Sequence, residues 1–237
     1  MLLTLKEFLT TCWPALLATA AAAYLLGSLN FAIIVTRIWE KTDIRKHGSG
    51  NAGATNVLRS QGKVPALFTV IGDLLKSFAA VILGGFLVQM AAGSATQEQR
   101  ELYMLFGRYF AGLICIIGHI YPLYFGFRGG KGVLTTLGMM LILDWKATMI
   151  CLGVFILVVL LSRMVSLGSC CAAASLPVVT CLFHFTVYQH NDRLAALFCT
   201  AMTFFIAVIL IAKHWANLKR IAAGTESRFS IGSKKNG

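Results

Sequence analysis

Long apolar stretches with few internal charges constrain this fold more than any other feature of the chain. A helix needs roughly 20 mostly apolar residues to cross a bilayer core. Candidates run over Trp13–Ile38, Pro65–Ala92, Tyr103–Tyr124, Val133–Leu143, Ala147–Leu161, Leu167–Tyr188 and Leu194–Ala212. Lipid offers the backbone no hydrogen-bond partners, so such stretches are expected to be helical. Composition agrees: of 237 residues 57% are hydrophobic and 13% charged, where soluble domains carry about a quarter. No long polar stretch could build a separate soluble domain. The expectation is an all-α polytopic membrane protein, a single membrane-embedded domain over 1–237.

The fourth and fifth candidates are short and flank Asp144-Trp145-Lys146, which is either a turn or the polar middle of one long span. Charge decides between seven spans and six. With seven and the N-terminus periplasmic, Lys6, Arg100, Lys146 and Arg193 lie outside, while Lys76 and Arg108 lie within spans. The other fifteen of the 21 Lys and Arg then face the cytoplasm. With six, the score is nine against nine. The positive-inside rule therefore favours seven transmembrane helices, some short, and a cytoplasmic C-terminus. The first stretch is too long for a signal-peptide core and is read as a retained span. The polar tail, 224–237, is expected to fray.

The net charge of +12 does not point to nucleic acid, because the basic residues lie in short loops beside apolar spans. The seven cysteines include no C-x-x-C pair and lie mostly in apolar stretches, as buried free thiols do.

Two glycine-rich runs interrupt the apolar background on the predicted cytoplasmic side. The first reads Gly48-Ser49-Gly50-Asn51-Ala52-Gly53-Ala54-Thr55-Asn56, followed by Arg59. The second reads Phe125-Gly126-Phe127-Arg128-Gly129-Gly130-Lys131-Gly132. Glycines let backbone N–H groups crowd around an anion, and Arg and Lys add charge. In the first run Ser49, Asn51, Thr55 and Asn56 are candidate hydrogen-bond donors and Arg59 a bidentate phosphate ligand. The second is not a Walker A loop, since Phe125 and Gly132 stand where that pattern needs Gly and Ser or Thr. Lys131 in a simpler phosphate cradle is the expectation.

Other residues leave alternatives open. His119, one turn before Pro122, is either a base or a partner of a carbonyl freed by that proline. Asp73 and Lys76, three apart inside the second span, are either functional intramembrane charges or a structural pair. His214 and Asn217 share a helical face but, read alone, look like an ordinary basic helix end. No His is followed by Asp five positions on, and no D-x-x-D-G cluster exists. An H-x-x-x-x-D acyltransferase and a metal-dependent alcohol phosphotransferase are thereby unsupported. A transporter would place its polar site near the midplane between repeats, and no repeat is visible. A bare scaffold has no need of such loops.

Gly48-Ser49-Gly50-Asn51-x-Gly53-Ala54-Thr55-Asn56-Val57 resembles the first signature of the bacterial membrane family of acyl-phosphate-dependent glycerol-3-phosphate acyltransferases. Gly118-His119-x-x-Pro122-x-x-Phe125-x-Phe127-x-Gly129-Gly130-Lys131-Gly132-Val133 resembles the second. Ser166-Leu167-x-Ser169 and His214-x-x-Asn217-x-x-Arg220-x-x-x-Gly224-x-Glu226 resemble the rest, and Gly27-Ser28 and Asp73-x-x-Lys76 also fit. The likeness covers nearly the whole chain; Ile221, where Leu is usual, is a slight departure.

The resemblance implies a seven-helix enzyme of the bacterial inner membrane with its active site facing the cytoplasm. It implies transfer of a fatty acyl group from acyl phosphate to the 1-hydroxyl of glycerol-3-phosphate, giving lysophosphatidate and phosphate, the first acylation of phospholipid synthesis. It implies no metal or other cofactor, membrane lipid as surroundings, and the acyl-phosphate-forming enzyme as a partner. It also implies catalytic roles for Ser49, Arg59, Lys131, His214 and Asn217. Gly48, Gly50, Asn51, Gly53, Thr55, Asn56, Gly129, Gly130, Gly132, Ser166 and Ser169 would bind substrate or phosphate.

Overall fold

A computed structural model describes residues 2–93, 95–186 and 193–228, with side chains from Lys6 onward. Residues 187–192, which hold the end of the sixth candidate span and most of the outer turn expected after Tyr188, and the end of the basic tail, 229–237 with Lys234 and Lys235, lie outside the described residues. Those described are helical or irregular, with no strand among them. Among the described residues six helical stretches are long and apolar enough to cross a membrane, and a seventh apolar helix is shorter. The chain divides into two compact units, Met1–Leu143 and Asp144–Gly237.

The first unit holds α1 (Leu2–Ser28), α2 (Phe31–Glu40), α3 (Ala54–Gln61), α4 (Lys63–Ala91), α5 (Gln97–Ile120) and α6 (Val133–Leu143). Helix α4 is its centre, packing on all five others. Small residues let the backbones approach closely, the usual basis of helix packing in lipid. A Cβ at Gly27 would meet the backbone of Cys115, and one at Gly118 the backbone of Tyr24 and Gly27. Helices α1 and α5 therefore cross at Gly27 and Gly118. Thr96 starts α5 with a reciprocal capping box to Gln99.

The expected first span over Trp13–Ile38 is not one continuous helix. It breaks after Ser28 and restarts at Phe31. Asn30 takes an extended conformation and its side chain accepts the Ile33 N–H at 3.2 Å, so an N-cap in mid-span restarts the helix.

The second unit holds α7 (Trp145–Ser162), α8 (Val165–Thr186), α9 (Arg193–Lys213) and α10 (Trp215–Ala222). Helix α8 packs against α7, α9 and α10. The helices break at Asp144, as the charge count expects. Helix α6 ends at Leu143, and the Asp144 carboxylate caps α7 by accepting the Ala147 N–H at 2.9 Å. Helix α6 has 11 residues and rises about 16 Å, roughly half a bilayer core. All seven cysteines are free.

Candidate active site

The first glycine-rich run folds around one side chain, Asn56. This residue is buried, and its amide nitrogen donates to the carbonyls of His47 at 2.9 Å, Asn51 at 3.1 Å and Ile44 at 3.3 Å. Its oxygen accepts the Ser49 N–H at 3.0 Å. Both ends of the Asn56 amide thus bind the loop's own backbone. That gives Asn56 a loop-shaping place rather than the phosphate-facing one its residue type suggests. Gly48 and Gly50 sit at positive φ, 55° and 71°, where glycine turns the chain without strain. A Cβ at Gly48 would also strike the Asn56 side chain. Ser49 is exposed between them.

Helix α3 leaves this loop at Gly53, whose lack of a side chain leaves the helix without a side-chain cap. Unsatisfied amides at a helix start favour an anion. Thr55 and Arg59 are four apart and share one face of α3. Arg59 is exposed, and helical side chains tend to lean toward the N-terminus, which for α3 is the side of the loop.

The second run lies against the end of α5. Gly129 N–H donates to Ile120 O at 3.1 Å and Gly130 N–H to His119 O at 3.2 Å. A Cβ at Gly130 would meet both His119 Nε2 and Ala52 O. The two glycine-rich runs are therefore in direct backbone apposition at Gly130 and Ala52. Lys131 follows, part-buried, just before α6.

A side chain outside both runs also joins them. Arg45 Nη1 donates to Phe125 O at 2.7 Å and to Arg128 O at 3.0 Å. Asp43 aims it, accepting from Arg45 Nε at 2.9 Å and Nη2 at 2.8 Å, and from Arg37 Nη2 at 3.0 Å. The Arg45 hydrogen bonds, reinforced by Arg37 and only partly opposed by burial, hold the Asp43 carboxyl well below the usual carboxylate range. Residue pattern offered little sign of this latch, since Arg45 reads as one more cytoplasmic cation.

Beneath the loops, Asp73 and Lys76 do pair, with Nζ to Oδ1 at 2.8 Å and both side chains buried. His119 joins them. Its Nδ1 lies 2.9 Å from Lys76 Nζ and 3.5 Å from Asp73 Oδ1, so this ring edge faces the ion pair rather than a carbonyl freed by Pro122.

In the second unit Glu226 gathers the signature residues. Its Oε1 accepts from Ser166 Oγ and Asn217 Nδ2, both at 2.7 Å, and its Oε2 accepts from Arg220 Nε at 2.8 Å. Gly224, at φ 71°, turns the chain back after α10 to bring Glu226 there. Burial opposes ionisation of Glu226, but the bonds from Ser166, Asn217 and Arg220 prevail and lower its pKa. The sequence signal for Glu226 was its place in the last signature, of which Asn217, Arg220 and Glu226 itself converge here with Ser166. Ser169 instead donates to Val165 O of its own helix at 2.9 Å. His214 is buried at the α9–α10 junction, with Nδ1 2.8 Å from Leu210 O. A carbonyl can only accept, so the neutral ring carries its proton on Nδ1 and its lone pair on Nε2. Among the described residues no group of three or more His, Cys, Asp or Glu is placed to hold a metal ion.

Fold and loops together define a polytopic helical membrane protein whose first unit joins two glycine-rich, basic loops. The family model described as glycerol-3-phosphate acyltransferase matches residues 17–224. A glycerol-3-phosphate acyltransferase of Clostridioides difficile (strain 630) is 40% identical, covering 91% of this chain and 95% of its own. One of Coxiella burnetii (strain CbuG_Q212) is 36% identical, covering 92% of this chain and 100% of its own. The crystal structure of PlsY, an integral membrane glycerol 3-phosphate acyltransferase, in its glycerol 3-phosphate form, superposes with a TM-score of 0.73 at 31% identity. It covers 91% of this chain and 96% of that one. The chain belongs to the glycerol-3-phosphate acyltransferase family and is a membrane acyltransferase.

Proposed function

We propose that this protein transfers a fatty acyl group from acyl phosphate to the 1-hydroxyl of glycerol-3-phosphate, releasing lysophosphatidate and inorganic phosphate. Beyond the family membership, the observation that carries this reading is the apposition of the two glycine-rich loops at Gly130 and Ala52. It brings an uncapped helix start, Arg59 and Lys131 into one unit. Such a set suits phosphorylated substrates, because backbone amides and fixed cations need little reorganisation as charge develops.

In this reading Arg59 and Lys131 bind phosphate, while Ser49 and Asn217 orient substrate. Asn51, Thr55 and the loop amides from Gly48 to Gly53 and from Gly129 to Gly132 add donors, with Asn56 shaping the first loop. Ser166 and Ser169 are assigned to substrate binding by the family resemblance alone. The hydroxyl oxygen attacks the acyl carbon, the bond from that carbon to the phosphate oxygen breaks, and phosphate leaves with the electron pair. A phosphate oxygen of the donor accepts the hydroxyl proton, so catalysis is substrate-assisted and consists chiefly of positioning. The chain acts as one catalytic domain in the inner membrane, with the loops facing the cytoplasm, and receives its donor from an acyl-phosphate-forming enzyme.

Purified protein should release phosphate from palmitoyl phosphate only when glycerol-3-phosphate is present, without added metal, and should be inactive with palmitoyl-CoA. Equal turnover of palmitoyl-CoA would refute the donor assignment. A reporter fused after Asp144 should be periplasmic; a cytoplasmic signal overturns the orientation.

A further inference from the structure

The buried cluster of Asp73, Lys76 and His119 has no part in the reaction described above, yet it touches both the break in the first span and the end of α5 against which the second loop lies. Lys76 Nζ donates to Leu29 O at 2.8 Å and to Gly27 O at 3.0 Å, the carbonyls left open where α1 ends. Residues 27–30 are a junction. Between the two carbonyls held by Lys76, Ser28 Oγ accepts the Leu123 N–H at 3.1 Å, at the start of the segment leading to the second loop. Next to them, Asn30 Nδ2 reaches Ala52 O of the first loop at 3.4 Å.

The fourth contact of the ammonium runs to the other loop. An ammonium only donates, so His119 presents Nδ1 as an acceptor and keeps its proton on Nε2. That ring edge is what a Cβ at Gly130 would strike, and the same Cβ would strike Ala52 O. The His119 carbonyl holds the Gly130 N–H. One ammonium thus fixes the break in the first span, from which Asn30 reaches Ala52, and the imidazole on which Gly130 rests. The three protons of the ammonium match three acceptors, Gly27 O, Leu29 O and His119 Nδ1, with the Asp73 carboxylate 2.8 Å away as the charge partner, so the ammonium cannot shift without loosening one of them.

We propose that Lys76 is a positioning residue for acyl transfer, clamping the mid-span break and His119 so that the two glycine-rich loops meet in register. This inference rests on the reaction proposed above and assigns Lys76 no contact with substrate. Misplacement on the ångström scale far from the chemistry costs rate more than affinity.

Replacing Lys76 alone would strand the Asp73 carboxylate, and an unpaired buried charge unfolds proteins for unrelated reasons. The discriminating variant is therefore the double substitution Asp73→Asn with Lys76→Met, which removes both charges. Phosphate release from palmitoyl phosphate and glycerol-3-phosphate is measured beside thermal unfolding in detergent. The expected result is kcat down at least tenfold, both KM values within about threefold of wild type, and a retained unfolding transition. Wild-type kcat in the double variant would show that the pair merely balances charge and would overturn the proposal, as would a loss confined to KM.

A second variant covers a failure of the first to fold. His119→Asn places an amide oxygen near the Nδ1 position but deletes the ring edge under Gly130. It should also lose at least fivefold in kcat, and an unchanged rate overturns the proposal. The wild-type arm separates the two claims: no phosphate release there refutes the reaction itself, whereas normal wild-type turnover with normal variants refutes only the clamp.

Discussion

Gly130→Ala tests whether apposition of the two loops carries activity, with Gly126→Ala as its control. The alanine methyl at position 130 would overlap His119 Nε2 and the Ala52 carbonyl. One is a buried ring bonded to Lys76 and the other is backbone, so neither can retreat like the end of a flexible side chain. Forcing one carbon into a packed site costs typically about 1–3 kcal/mol. The cheapest relief is to part the loops. If that whole cost falls on the transition state, the rate drops roughly five- to 150-fold. Gly126 reverses the comparison: its φ is 67°, but a Cβ there meets nothing within 4 Å. Alanine at 126 should cost about 1–2 kcal/mol of stability through its left-handed backbone and leave kcat within about twofold. The assay is initial-rate phosphate release at saturating palmitoyl phosphate and glycerol-3-phosphate, with unfolding temperature on the same preparations. If Gly130→Ala keeps wild-type kcat, or Gly126→Ala is the more impaired in rate, the loops do not act through contact at Gly130.

Arg59→Ala and Lys131→Ala should each lower kcat/KM by about 2–4 kcal/mol of transition-state stabilisation, seen as near-complete loss of phosphate release; near-normal rates in both contradict the phosphate site. Arg45→Lys keeps a charge but not the fork that binds Asp43 through two nitrogens while reaching Phe125 O and Arg128 O, so it should reduce kcat severalfold, and full activity would show that the latch is dispensable. Glu226 has a lowered folded pKa, despite burial, through Ser166, Asn217 and Arg220; the stability it contributes is therefore present above the ordinary carboxylate pKa and lost as pH falls through the folded value. Glu226→Gln should flatten that part of the acid dependence of unfolding temperature, and an unchanged profile refutes it. His214→Ala separates two proton routes: with a donor phosphate oxygen as base, added imidazole should restore no activity, whereas rescue by imidazole with both substrate affinities intact would make His214 the base.

The helices were legible because lipid leaves an apolar stretch little alternative, and the start of α6 at Val133 and its end at Leu143 emerged directly from the apolar run. The break at Leu29–Asn30 was not legible. Hydropathy reads through one asparagine, and a capping residue has its usual meaning only when a helix is expected to begin there. The loop residues were visible by type, but their division of labour was not. Asn51 and Asn56 look alike in the sequence, yet Asn56 is the one whose amide gathers three carbonyls. Arg45 went unassigned because it reaches the second loop across about 80 positions, and local spacing carries no trace of such a pair. Glu226 stood in the last signature beside Asn217 and Arg220, but its bond to Ser166 across 60 positions was not legible.

The mid-span break explains why the buried cluster is where it is. A continuous helix from Leu2 to Glu40 would satisfy the Gly27 and Leu29 carbonyls internally and leave Asn30 no reason to face Ala52. Ending α1 early exposes carbonyls inside the membrane, where each unmet group costs several kcal/mol. A lysine from α4 meets two of them at 2.8 and 3.0 Å, and its charge is tolerable there because Asp73 lies one turn away on the same helix at 2.8 Å. The interruption gives Asn30 an extended backbone from which its amide reaches the first loop. The intramembrane charges are thus a consequence of breaking the helix, and the break places a polar side chain beneath the loop. Restoring helix continuity with Asn30→Ala should therefore disturb the loop at Ala52 rather than merely stabilise α1, and the measurable sign is faster proteolysis after Arg45 or Lys46, the basic residues that lead into that loop, with no fall in helical content by circular dichroism.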